Sequence, residues 1–238
     1  FGVQSLGNDA SQYGVALTLG GGEMTLLELT RGFTVFANGG TLVRSTSILC
    51  VLDNSDNILY EYENSCPRGS QNGNTVNRGG YGLQVLDPRI AFIIGDILAD
   101  DNARLPAFGS NNPLDIGSIA AAVKTGTTDN FRDNWTVGYT RNVAVGVWVG
   151  NSDGRPMVNT SGVTGAAPIW NQVMRTIYAD NRMLGQFASG GQLLSDQLPP
   201  PSGLSLRALC AISQLREPVV NCGASVQDWF LDTPAGLP

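Results

Sequence analysis

The stretch Ser118-Ile-Ala-Ala-Ala-Val-Lys124-Thr125-Gly126-Thr127-Thr128 passes from small apolar residues into a lone cation. Ala120, Ala121 and Ala122 make a slim extended segment, and Gly126 removes a side chain where another backbone can come close. The pattern continues downstream. In residues 134–140, Trp135, Val137 and Tyr139 alternate with Thr136, Gly138 and Thr140, and in 143–149 valine stands at every second position. Alternation with period two reads as strand, and short connections make neighbouring strands antiparallel. The spacing therefore predicts three successive antiparallel strands, the first ending in Lys-Thr-Gly-Thr.

Helices are predicted before and after these strands in the chain, the last of them covering one face of the sheet. Residues 25–38 open with a Thr25-x-x-Glu28 capping box, carry Leu26, Leu29, Phe33 and Phe36 at helical spacing, and end at Gly39 and Gly40. A second helix is predicted over 87–100, capped by Asp87 with Pro88 at its first position and Ile90, Ile93, Ile94 and Ile97 as its buried stripe. A third, over 167–179, places Trp170, Val173, Met174 and Ile177 on one face. Residues 46–63 read as two strands around the turn cluster Asp53-Asn54-Ser55-Asp56-Asn57. Residues 64–80 read as an exposed loop, and an irregular connection is expected from the second helix to Gly117. From about residue 185 the composition shifts to Gly, Ser, Gln and Pro, a loosely packed tail or a small cysteine-stapled module. The fold class is α+β, with a boundary expected between residues 1–184 and 185–238.

Composition removes several function classes. The chain of 238 residues is 42% hydrophobic and 14% charged, which suits a packed globular protein. A net charge of −6 argues against a nucleic-acid partner, which needs a basic face. No run of 18 apolar residues is present, the length a membrane-spanning helix requires. Histidine is absent, so no Ser-His-Asp or Cys-His mechanism and no His-ligated metal can be built from these residues. Lys124 is the single lysine among 14 Lys and Arg residues. Asp53 and Asp56 read as turn residues because further calcium-liganding positions are missing. No metal and no cofactor is expected.

Cys50, Cys66, Cys210 and Cys222 contain no C-x-x-C pair, which disfavours a zinc knuckle. Two disulfides with three possible pairings, or free thiols, are equally open on spacing. A Cys210–Cys222 bridge would close a short loop worth about 3 kcal/mol.

A strand ending in Lys124-Thr125-Gly126-Thr127 offers an ammonium, hydroxyls and a free backbone edge side by side. A peptide ending in a carboxylate can add antiparallel to such an edge, with Lys124 and the Thr125 and Thr127 hydroxyls on the carboxylate. The Thr127 N–H can then face a reacting carbonyl as half of an oxyanion hole. A lone Lys-Thr-Gly on a surface hairpin is also an ordinary turn. Trp135, Trp148 and Trp170 read as core, and Asp129, Arg132 and Asp133 as residues that shape the connection between two strands.

The surroundings of the tripeptide carry a resemblance. Ala122-Val-Lys-Thr-Gly-Thr-Thr-Asp-Asn-Phe-Arg-Asp-Asn-Trp-Thr-Val-Gly-Tyr-Thr140, followed by Val145-Gly-Val-Trp-Val-Gly150, resembles the bifunctional (class A) penicillin-binding proteins. Leu17-Thr-Leu-Gly-Gly-Gly-Glu-Met-Thr-Leu-Leu-Glu-Leu with Phe36-Ala-Asn-Gly-Gly40, and Gly165-Ala-Ala-Pro-Ile-Trp170, are similar to the same family in the expected order. Cys210-Ala-Ile-Ser and Cys222 resemble paired cysteines that some members carry after the domain. The resemblance covers nearly the whole chain. It implies the C-terminal part of a serine transpeptidase/β-lactamase-like domain, an antiparallel sheet flanked by helices whose N-terminal part is missing. It also implies acyl transfer on D-Ala-D-Ala stem peptides of peptidoglycan, with β-lactams mistaken for the donor. The expected location is the extracytoplasmic face of the bacterial cytoplasmic membrane.

Carried over residue by residue, the resemblance assigns substrate binding to Lys124, Thr125, Gly126 and Thr127, and the oxyanion contact to the Thr127 N–H. The family's nucleophile lies in an S-x-x-K motif, which this sequence lacks because Lys124 is its one lysine. That motif, the S-x-N motif, a glycosyltransferase domain and a membrane anchor are expected upstream of Phe1. Phe1 itself stands where a complete chain would have Met. The missing N-terminal part is thus an expected partner, alongside stem peptides and β-lactams, and the fragment alone is expected to be inactive. Two other readings remain within or beside the fold: a D,D-carboxypeptidase or β-lactamase, and a catalytically silent β-lactam-sensing or envelope-binding module. An unrelated β-rich adhesion domain is the third.

Overall fold

The computed structural model describes residues 1–7, 9–62, 66, 82–188, 192–210 and 225–232. Helix α1 spans Leu26–Ala37 and starts as the sequence predicts. The Thr25 hydroxyl accepts from Glu28 N–H at 3.2 Å, and the Glu28 carboxylate returns to Thr25 N–H at the same distance. It ends in a Schellman motif: Gly39 N–H donates to Phe36 O (3.1 Å) and Gly40 N–H to Val35 O (2.8 Å). Both glycines sit at positive φ, 61° and 88°, which a side chain would strain.

Glu28 also holds the N-terminal segment through Gln4 N–H (2.8 Å), Ser5 N–H (3.0 Å) and the Ser5 hydroxyl. These contacts, the Ser5 hydroxyl foremost, push its carboxyl pKa down to about 2. A depressed folded-state pKa stabilises the fold above the ordinary value and is lost as pH falls through the shifted one. Amide protection at Gln4, Ser5 and Glu28 is therefore expected to persist at pH 4 and to disappear near pH 2. Thr25→Ala should cost about 1 kcal/mol in chemical denaturation by removing the cap.

Strands β1 (Thr41–Leu42), β2 (Cys50–Leu52), β3 (Ile58–Glu61) and β4 (Leu83–Gln84) form two short antiparallel pairs, β1 with β4 and β2 with β3. Asp53 closes the β2–β3 turn by accepting from Ser55 N–H (2.8 Å) and Asn57 N–H (2.9 Å). A Cys50–Cys66 disulfide settles one of the open pairings, at a sequence separation of 16. Replacing both cysteines by alanine is expected to cost about 3 kcal/mol through loop entropy, read as a lower denaturation midpoint.

Helix α2 (Pro88–Ala99) begins at the Asp87 cap as predicted, but its buried side is different. Ala91 and Phe92 are buried, while Ile97 is 56% exposed. The small residues Ala91 and Gly95 let the helix approach the sheet, where a Cβ at Gly95 would come 3.4 Å from the Tyr139 hydroxyl oxygen. The connection expected to be irregular contains a helix, α3 (Asp101–Phe108), capped by the Asp100 side chain on Asn102 and Ala103 N–H. Pro106 hid it: inside the helix it gives up one i→i−4 hydrogen bond, and the helix ends two residues later at Phe108.

Strands β5 (Ala122–Thr127), β6 (Asp133–Tyr139) and β7 (Ala144–Gly150) form an antiparallel sheet in the order β5-β6-β7. Helix α4 (Ala166–Ala179) covers one face. Trp170, Met174 and Ile177 bury against Val123 and Val143, with Val145 and Val147 packed at the edge of the cluster. Val173, predicted to share that stripe, is 37% exposed because it lies about 60° round the helix from Trp170. The opposite face receives α1 and α2, with Ala122 and Tyr139 meeting Phe33, Phe36 and Leu98. Both faces are thus covered, and the polar alternation of β6 does not face water: Asn134, Thr136 and Thr140 are buried.

Helix α5 (Asn181–Gly185) follows, and a hairpin of β8 (Leu204–Cys210) and β9 (Ser225–Leu231) completes the described elements. Segment 194–198 is bound more tightly than the loose packing expected. Asn142 Nδ2 donates to Leu194 O (2.9 Å) and Leu194 N–H to Asn142 Oδ1 (2.8 Å). Arg141 N–H donates to Asp196 O (2.9 Å) and the Tyr178 hydroxyl to Asp196 Oδ1 (2.8 Å). The hairpin rests on α2 through an edge-to-face contact of Trp229 with Phe92 at 5.3 Å. Cys210 is disulfide-bonded. Its expected partner Cys222 lies outside the described residues, as does most of the loop expected over 64–80. Among the described residues, no helix is long and apolar enough to cross a membrane.

Candidate functional site

The Lys-Thr-Gly-Thr segment occupies the last part of β5, which pairs with β6 on one side only among the described strands. Register runs Lys124↔Val137, Thr125↔Thr136, Gly126↔Trp135 and Thr127↔Asn134. One residue further, Thr128 N–H donates to Asp133 O at 3.0 Å. Because strand N–H groups alternate in direction, Gly126 and Lys124 also turn theirs toward β6. Thr125 and Thr127 turn their N–H and C=O groups toward the open edge.

Side chains alternate in the other sense. Lys124 lies on the face shared by Ala122, Gly126 and Trp135, whereas Thr125 and Thr127 lie on the α4 face with Val123. The ammonium and the hydroxyls therefore straddle the edge rather than standing on one side of it. Lys124 is exposed and its Nζ donates to Thr125 O at 2.6 Å. Gly126 has room: a Cβ there would meet only Trp135 Cβ, at 3.5 Å, with other indole atoms at 4.0 Å.

The turn into β6 is fastened by Asp133. Its N–H donates to the Thr128 hydroxyl (2.8 Å), and its carboxylate accepts from Thr128 Oγ1 (3.1 Å) and Trp148 Nε1 (3.0 Å). Asn130 and Phe131 take positive φ in this turn, 59° and 55°. Arg132 is exposed beside it. Trp170 is core as expected, but Trp148 is 36% exposed and meets half-buried Trp135 edge-on at 6.5 Å. Their shared face carries Lys124 and Gly126.

Sequence reading missed the loop over 160–165, which lies against the α4 face of β5 and β6. Gly162 N–H donates to Thr127 Oγ1 at 2.9 Å. Gly162 O accepts from Thr136 Oγ1 (3.2 Å) and from Ala167 N–H (2.9 Å). Asn134 Nδ2 donates to Thr160 O at 2.8 Å. The signal available in the sequence was the Asn134-x-Thr136 pair in a strand covered on both faces, since buried polar side chains need partners. Tyr139, further along β6, has its phenol pKa raised by burial and stays neutral. Among the described residues, no cluster of three or more His, Cys, Asp or Glu side chains is placed to hold a metal ion.

An open strand edge with outward N–H groups, a cation on one face and hydroxyls on the other is suited to hold an extended chain ending in an anion. Comparison with known proteins narrows this. No family model matches the chain. Penicillin-binding protein 1A of Neisseria meningitidis serogroup A is 31% identical over 176 residues, 74% of this chain and 20% of that protein. Penicillin-binding protein 1A of Clostridium perfringens is 28% identical over 213 residues, 87% of this chain and 22% of that protein. The chain thus spans about a fifth of the length of the curated relatives it matches. Among solved structures, penicillin-binding protein 1A of Haemophilus influenzae superposes with a TM-score of 0.66 at 22% identity, over 91% of this chain and 33% of that one. That likeness establishes the α+β fold. The motifs, the fold and these relatives agree, and the chain belongs to the class A penicillin-binding protein family as a part of its transpeptidase domain.

Proposed function

We propose that this chain supplies the substrate-holding strand of a serine D,D-transpeptidase that cross-links peptidoglycan, the nucleophile coming from a part of the longer protein outside residues 1–238. The observation that carries the reading is the open edge of β5, where the Thr125 and Thr127 N–H groups point outward between Lys124 and the threonine hydroxyls. A stem peptide ending in D-Ala-D-Ala adds to that edge in extended form, its main chain pairing as a further strand. Its carboxylate takes Lys124 and the Thr125 and Thr127 hydroxyls, and the Thr127 N–H faces the carbonyl that the serine attacks. There it stabilises the oxyanion as charge develops. Gly126 leaves the space the substrate backbone needs.

In this reading, a serine of S-x-x-K forms the acyl-enzyme, and an amino group of a neighbouring stem peptide takes the acyl group. β-Lactams enter as donor mimics and stay attached. Residues 1–184 form part of the transpeptidase domain, and 185–238 a tail fastened to it through 194–198. The longer protein places this domain outside the cytoplasmic membrane.

Fluorescent penicillin labelling of the full-length protein, with peptide mapping of the adduct, tests the proposal. A labelled serine outside residues 1–238 is expected. A labelled serine within them would overturn the division of labour, and an unlabelled, folded protein would overturn the enzymatic reading.

A further inference from the structure

We infer that Asp133 is a positioning residue: by locking Thr128, one step beyond Thr127, it aims the outward Thr127 N–H and so acts on the acylation step rather than on ligand binding. The inference rests on the transpeptidase reading and deepens it.

Thr127 is the last residue of β5, and strand ends fray. Its N–H and C=O point to the open edge, so no ladder bond of its own holds its backbone. The Gly162 N–H, 2.9 Å from Thr127 Oγ1, holds the side chain but not the direction of the peptide. That direction is left to the two neighbours. Gly126, on one side, has the widest backbone freedom of any residue. Thr128, on the other, leads into a turn in which Asn130 and Phe131 take φ of 59° and 55°, a region that a bulky side chain such as that of Phe131 rarely adopts. Between a permissive residue and a strained turn, Thr127 depends on how firmly Thr128 is fastened.

Asp133 fastens it with three hydrogen bonds. Its carbonyl accepts from Thr128 N–H (3.0 Å), its N–H donates to Thr128 Oγ1 (2.8 Å), and its Oδ2 accepts the proton of that hydroxyl (3.1 Å). The other carboxylate oxygen, Oδ1, takes Trp148 Nε1 at 3.0 Å, which keeps Oδ2 turned toward Thr128. The indole reaches Asp133 because it lies over Gly150, where an added Cβ would come 2.4 Å from Trp148 Cζ2. The end of β5 is thereby joined to β7 through the first residue of β6. An oxyanion donor is effective when it already stands where charge will develop. Loosening it slows the chemical step, while contacts made equally before and during the reaction, such as the Lys124 charge contact, go on holding the ligand.

The test measures acylation of the full-length protein by a fluorescent penicillin, resolved by stopped flow into the Kd of the initial complex and the acylation rate constant within it. Asp133→Ala removes both carboxylate contacts and leaves the bonds made by its backbone, so the hairpin keeps its register. It is expected to lower the rate constant about tenfold and to move Kd by less than about twofold. Thr128→Val should match it, and Thr128→Ser, which keeps the hydroxyl, should recover most of the rate. The Asp133→Ala/Thr128→Val double variant should be no slower than the slower single variant, because both act through one contact. A loss carried by Kd, an unchanged rate constant, or multiplying losses in the double variant would overturn the inference while leaving the transpeptidase reading intact. A folded wild type that the penicillin does not acylate would overturn both. Should Asp133→Ala fail to fold, Thr128→Val and Thr128→Ser decide alone, and equal rate constants in the two would refute the inference.

Discussion

Trp170→Ala is expected to destabilise the protein by about 3–5 kcal/mol, the cost of emptying a large buried aromatic site. Trp170 is fully buried in the cluster that joins α4 to the sheet, with Val123, Met174 and Ile177 around it. Its indole lies directly on Gly138, where an added Cβ would come within 2.4 Å of the ring. Alanine would leave a void between a helix and a strand that cannot collapse, because β6 is fixed by its pairing on both sides. Trp170→Phe provides the control. The indole Nε1 is buried with no hydrogen-bond partner among the described residues. Phenylalanine thus loses volume but also removes an unsatisfied donor, and a net change of about 1 kcal/mol or less is expected. Urea denaturation followed by far-UV circular dichroism measures both. A cost below about 1 kcal/mol for Trp170→Ala would mean that α4 does not anchor the sheet.

Much of this architecture was legible because local signals and tertiary packing agree. The Thr25–Glu28 box, the Gly39-Gly40 stop and the Asp87-Pro88 start each specify backbone geometry through adjacent residues, and each appears where expected. The strands carrying Lys124, Trp135 and Val147 follow from alternation and short connections. What failed depends on partners distant in sequence. Ile97 fits a helical stripe but faces outward, since small Ala91 and Gly95, with Phe92 under the β8–β9 hairpin, decide which side of α2 meets the rest. Helix α3 was hidden by Pro106, and the Cys50–Cys66 bridge was one of several equal pairings.

The candidate site divides in the same way. Lys124 to Thr127 could be read directly as the end of a strand, because alternation and short connections place it there; the chemistry proposed for it rests on the family resemblance. The placement of ammonium and hydroxyls on opposite faces follows from strand geometry and was available in principle. The Gly162 contact was not, since it joins residues 35 positions apart and involves a backbone N–H that leaves no mark in sequence. Asn134 and Thr136 are buried, with Thr160 O and Gly162 O of the loop as their partners, and alternation in β6 alone does not say which of its faces is covered or by what.

Lys124→Ala in the full-length protein should lower β-lactam acylation about 10- to 150-fold, the worth of a hydrogen bond to a charged group at about 1.5–3 kcal/mol. The fold should hardly notice: Lys124 is exposed, and its described hydrogen bond is to Thr125 O of its own strand. Unfolding midpoints of variant and wild type should therefore coincide while acylation rates separate, which distinguishes ligand binding from damage to the sheet. Gly126→Val tests the neighbouring claim by sterics instead of charge. A Cβ at Gly126 makes only ordinary contact with Trp135, so the strand itself accepts a side chain. A substrate backbone laid along the edge does not, and acylation should fall at least as far as in Lys124→Ala. If both variants acylate at the wild-type rate, the Lys-Thr-Gly-Thr strand is not where the ligand lies. If Gly126→Val alone is silent, the carboxylate reaches Lys124 without the peptide pairing along β5, and the β-augmented pose is wrong while the charge contact stands.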